Sequence, residues 1–147
     1  MNNFKVYLDN CTFNRPFDKR EQISVVLEAE AKLHIQQSIF EKKIDLVWSY
    51  ILDFENDANP FKERHFAIKQ WRKLSIMDIE ENELILQNAF NLTKLGLKSK
   101  DALHVACAMF AKCDFFITTD SEILKKLKKY PKICVISPIE FIYLFKD

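Results

Sequence analysis

A single glycine, Gly96, serves all 147 residues of the chain. A phosphate-cradling P-loop or a GxGxxG dinucleotide turn needs several glycines, because only glycine lets the backbone approach a phosphate that closely. A nucleotide held in that way is excluded. Cysteine is sparse as well. Cys11, Cys107, Cys113 and Cys134 form no CxxC pair, and His34, His65 and His104 show no zinc spacing. Free thiols in a reducing compartment are the expectation. No apolar run reaches the ~18 residues of a membrane helix. The opening MNNFKVYLDN lacks the charged start and long apolar region of a secretory leader. A cytoplasmic protein with no membrane association is expected. Formal net charge is +1, so no global field announces a polyanionic partner.

What is present is apolar: 48% of residues are hydrophobic, and 13 of them are phenylalanine, enough for a packed core rather than disorder. The length suits one domain over residues 1–147. Strand-like runs alternate with helical periodicity along the chain. Strands are expected at 4–8, 45–49, 75–79, 115–118 and 133–136. Helices are expected at 21–42, 50–57, 60–73, 80–94, from 99, 120–129 and 138–145, with Pro16 and the Asn/Asp content keeping 10–20 a loop. Gly96 stands where a left-handed helix cap is favoured. This alternation predicts an α/β fold, three layers deep, with a mainly parallel five-stranded sheet. Ligands of such folds bind outside the carboxyl ends of the strands.

Carboxylates gather at that edge. Asp9 ends the first strand, Asp101 opens the helix before the fourth, and Asp120 follows the fourth. Glu55 lies about one and a half turns into the helix after the second strand. Asp53, about 200° away round the same helix, competes with it for that role. Each acid has an ordinary structural reading beside this one. Asp101 suits the positive end of its helix, Asp9 suits a turn, and Glu55 suits a solvated face. Thr119 and Glu122 match a capping box with Asp120 as a first-turn acid. Four acids converging on one edge would nevertheless repel unless a cation sat between them. Hard cations such as Mg²⁺ and Mn²⁺ take oxygen ligands of this kind. With no GxSxG elbow and no Cys–His signature, metal-assisted phosphodiester hydrolysis is the chemistry that pattern suggests.

LDNCTFNRPFD near the start, SKDALHVACA in the middle and CDFFITTD before a lysine-rich helix resemble the PIN domain, in particular the small bacterial PIN proteins related to VapC toxins. The resemblance spans the whole chain in order. It implies a three-layer α/β/α fold with a five-stranded parallel sheet, and a Mg²⁺- or Mn²⁺-dependent endoribonuclease. Its four metal-binding acids fall on Asp9, Glu55, Asp101 and Asp120, and its hydroxyl beside the last acid falls on Thr119, with Thr118 and Ser121 adjacent. The family often has Thr or Ser directly after the first acid. Here Asn10 stands there, still able to hydrogen-bond a carboxylate or a water. Arg15, in the first loop, could reach a phosphate or pair with Asp18.

The resemblance further implies RNA as substrate, a homodimer, and a cognate antitoxin in a VapBC-type pair. Lysines at 94, 98 and 100 precede Asp101, and those at 125, 126, 128 and 129 follow Asp120, which suits a polyanionic strand passing the acids or simply a solvated surface. Arg64, Lys69, Arg72 and Lys73 add a third basic run. The main rival is a catalytically silent PIN-like module that binds RNA or protein. A haloacid-dehalogenase-type phosphatase would want a second Asp two residues past Asp9, where this chain has Cys11.

Overall fold

The computed structural model describes residues 3–9 and 23–145. Asn10, Cys11, Arg15 and the expected loop at 10–20 lie outside the described residues. Five strands form one sheet: β1 (Lys5–Leu8), β2 (Asp45–Ser49), β3 (Met77–Ile79), β4 (Phe115–Ile117) and β5 (Cys134–Ile136). Their order is β3-β2-β1-β4-β5 and every neighbouring pair is parallel. Seven helices connect them among the described residues. These are α1 (Ile23–Phe40), α2 (Tyr50–Asp57), α3 (Lys62–Arg72), α4 (Glu83–Thr93), α5 (Ser99–Phe110), α6 (Ser121–Lys126) and α7 (Pro138–Leu144). The expected α/β architecture is observed.

The central strands are apolar on both faces because both faces are covered. Successive side chains alternate. Tyr7 lies in register with Val47 and Phe116, its ring stacked on Phe116 with centroids 5.4 Å apart, on the face roofed by α5. Phe115 points the other way and meets Phe141 of α7 edge-on at 5.4 Å. On that second face α1 packs along α7, while on the first α4 packs along α5. Between the layers Tyr7, Trp48, Phe116 and Phe141 are wholly buried.

Helix ends account for most shifts from the expected boundaries. The third helix begins at Lys62 rather than Pro60, because Asn59 Oδ1 accepts the Phe61 amide at 3.0 Å and turns the chain first. The third strand starts at Met77 because the Ser75 hydroxyl donates back to the Arg72 carbonyl at 2.7 Å. Asn82 caps α4 and a Ser137–Glu140 capping box opens α7. Gly96 adopts φ +98°, as its position suggests, and its carbonyl accepts Lys126 Nζ at 2.8 Å. Two further left-handed residues are lysines, Lys42 (φ 61°) and Lys112 (φ 58°). Both stand one residue past a helix C-cap. The amides of Lys42 and Lys43 bond to the carbonyls of Ile39 and Ser38, and those of Lys112 and Cys113 to Met109 and Ala108. This is the Schellman pattern.

Candidate functional site

The strand order reverses direction at β1: the chain moves from β1 through β2 to β3, then crosses back to β4 on the other side. The crevice outside the carboxyl ends of β1 and β4 is therefore the topological switch point, the usual ligand position in open α/β sheets. Asp9 and Thr118 occupy it. Leu8 pairs with Ile117, and the Asp9 amide donates to the Ile117 carbonyl at 3.3 Å. The next residues, Asp9 and Thr118, thus stand side by side. The buried Thr118 hydroxyl donates to the Asp9 carboxylate, itself only 7% exposed. The same hydroxyl accepts the Asp120 amide at 3.0 Å.

Asp120 is the N-cap of α6. Its Oδ1 accepts the amides of Glu122 at 2.9 Å and Ile123 at 3.2 Å. The expected Thr119–Glu122 capping box with Asp120 inside the helix is thereby corrected by one residue. Two capping frames overlap in TTDSE, and the one starting at Asp120 forms. Thr119 is half-buried between Thr118 and the cap, and Ser121 is the exposed first residue of α6.

Glu55 and Asp53 part company on α2, as their angular separation requires. Asp53 accepts Trp48 Nε1 at 2.9 Å and faces the Arg72 guanidinium at 3.7 Å. Glu55 instead reaches His104 Nε2 on α5. Arg72 also pairs with Asp78 at 2.8 Å, so this member of the third basic run is engaged with carboxylates. Asp101 sits in the first turn of α5, three residues before His104 and on the same side of the helix. Burial pushes its carboxyl above the ordinary range. The charges of Asp120 and Glu55 push the same way, against His104 and Lys98. Asp101, Asp120 and Glu55 therefore share one electrostatic neighbourhood although they come from α5, α6 and α2. Asn10 and Arg15, the other residues expected here, lie outside the described residues.

Behind the acids runs a buried polar chain that sequence patterning did not single out. The Ser49 hydroxyl meets Tyr7 Oη at 2.6 Å, and Tyr7 Oη meets His104 Nδ1 at 2.6 Å. His104 then meets Glu55. Ser49 and Tyr7 are fully buried and His104 is nearly so. Desolvation raises the Tyr7 phenol well above its ordinary value, so it stays protonated. The available signal was three polar side chains inside otherwise apolar segments, with His104 one turn from Asp101.

Among the described residues, no three His, Cys, Asp or Glu side chains close up into a ready-made ion cage. Glu55 is turned to His104 and one Asp120 oxygen to the α6 amides. The edge does present carboxylate donors, the ligand type of Mg²⁺ and Mn²⁺. It also holds at Asp101 a like-charge repulsion that a cation would relieve. The donor chemistry fits such an ion.

An open groove of about 920 Å³ runs between α6 and β5, lined in part by Ser121, by Lys125, Lys128 and Lys132, and by Asp114 and Glu140. Among the described residues no helix is long and apolar enough to cross a membrane.

No family model and no curated protein matches this chain. Among solved structures it is similar to a chain in the crystal structure of VapBC2 from Rickettsia felis bound to a DNA fragment from their promoter. The TM-score is 0.56 at 13% identity, over 91% of this chain and 98% of that one. At that identity the likeness is one of fold, and it extends over nearly the full length of both chains.

Proposed function

We propose that this protein is a PIN-like, Mg²⁺- or Mn²⁺-dependent endoribonuclease. The observation that supports the reading is the joining of Asp9 to the Asp120 backbone through Thr118 at the carboxyl ends of β1 and β4, together with the charge coupling of Asp101 to Asp120 and Glu55. Those four acids would hold the cation. A bound cation of this type makes its water more acidic and offsets charge developing on phosphate oxygens. The chain's own part is placement. Thr118 holds Asp9 and ties it to the Asp120 backbone, while the α6 amides orient the Asp120 carboxylate. Lys98 beside Asp101 and the lysines of the α6–β5 groove supply positive charge for a polyanionic strand. The fold it shares with a chain of the VapBC2 structure supports a further step, a toxin acting with an antitoxin partner. A homodimer belongs to the same reading.

The test is cleavage of mixed single-stranded and hairpin RNAs with Mn²⁺, with EDTA and Asp9→Asn as controls. Cleavage should require the metal and fall by on the order of 10²–10³ in Asp9→Asn. Folded protein that binds Mn²⁺ and RNA but leaves every substrate intact would establish a silent binding module instead. The engagement of Glu55 by His104 and of Asp120 by its helix is the observation on that side.

A further inference from the structure

We infer that Tyr7 and His104 are positioning residues that, with Ser49, hold Glu55 in a directed hydrogen-bond chain. The inference rests on the reading of Glu55 as a ligand-bearing acid. A carboxylate oxygen of Glu55 only accepts, so His104 Nε2 carries the proton in their contact. In the neutral ring Nδ1 is then an acceptor, and among the described residues the O–H it meets is that of Tyr7, at 2.6 Å. With its proton committed to Nδ1, Tyr7 Oη accepts from the Ser49 hydroxyl, also at 2.6 Å. Every donor in the row points one way, from Ser49 through Tyr7 and His104 to Glu55.

A second observation agrees. Ser49 is the N-cap of α2, the helix that carries Glu55, yet its side chain makes no capping bond to that helix. Serine at an N-cap ordinarily turns its oxygen to the helix amides. Here the hydroxyl is turned to Tyr7 instead. Both ends of the chain thus lie on α2 or at its start, and its middle lies on β1 and α5. The chain fastens α2 to the sheet and orients its glutamate. Support of this kind behind a ligating carboxylate commonly changes metal affinity 10–100-fold when removed.

The experiment reads the two ring nitrogens of His104 by ¹⁵N NMR in metal-free protein at one neutral pH, together with Mn²⁺ affinity. Wild type should show a single tautomer protonated at Nε2. Tyr7→Phe keeps the ring stack on Phe116 and removes only the hydroxyl. It should mix the tautomers and weaken Mn²⁺ binding about tenfold. His104→Gln, which retains an N–H donor, should bind Mn²⁺ more tightly than His104→Leu. A ring protonated at Nδ1 in wild type overturns the inference. So do unchanged ring resonances and unchanged Mn²⁺ affinity in Tyr7→Phe. Glu55→Gln separates the two readings. If it leaves Mn²⁺ binding intact, Glu55 is not a ligand and the proposed site is wrong, whereas the tautomer still reports whether the chain exists.

Discussion

Asp120 serves a helix and a proposed metal with one carboxylate, and the two roles can be separated. Asp120→Ala removes the α6 cap and should cost about 1 kcal/mol, read as a lower urea midpoint. Asp120→Asn caps about as well as aspartate, so stability should stay near wild type. Its Mn²⁺ affinity and RNA cleavage should fall with those of the alanine variant. Asp101 works against the fold. A carboxyl whose value is raised in the folded state favours folding below its unfolded value, and that contribution is lost as pH rises through the folded one. At neutral pH its charge is a burden imposed by burial and by Asp120 and Glu55. Asp101→Asn should therefore raise the melting temperature of EDTA-treated protein at neutral pH. The advantage should vanish below about pH 4, where the aspartate is protonated in both states. Added Mn²⁺ should stabilise wild type and not Asp101→Asn.

At the scale of elements, the shortage of glycine has a structural cost. Helices α1 and α5 end in Schellman turns whose left-handed residue is Lys42 or Lys112. Glycine takes that conformation without the Cβ clash, which is worth roughly 1–2 kcal/mol, less what its extra freedom in the unfolded chain removes. Lys112→Gly should raise stability by about 0.5–1 kcal/mol in urea denaturation with no change in metal binding. These turns were not legible in the sequence, since lysine gives no sign of positive φ. The strands were legible, because FKVYL, DLVWS and CDFFI are short apolar runs bounded by polar residues. The positions of Asp9 and Asp120 past the first and fourth strands were legible for the same reason, each following an apolar run. Glu55 against Asp53 was not decidable, since Trp48 and Arg72, which occupy Asp53, meet it only in the folded chain. Ser49, Tyr7 and His104 were hidden likewise: each reads locally as one polar residue in an apolar segment, and their shared purpose exists only across three elements. Thr119 misled because two capping frames overlap and sequence spacing does not choose between them.

For the molecule as a whole, the site is a product of strand order. Moving from β1 to β3 and then back across to β4 opens a crevice at the centre of the sheet, and Asp9 and Thr118 line it from the two sides. Those two residues are 109 positions apart in the chain. During synthesis at about 5–20 residues per second, Asp9 therefore waits several seconds for its partner to be made. Until β4 has been made and paired with β1, Asp9 lacks the Thr118 hydroxyl, and Thr118 lacks the Asp120 amide that it accepts. A nascent or prematurely terminated chain carries the first acid without the site. The pairing of Asp9 with Thr118 is thus set late in synthesis, by β4 rather than by the strand that carries the acid.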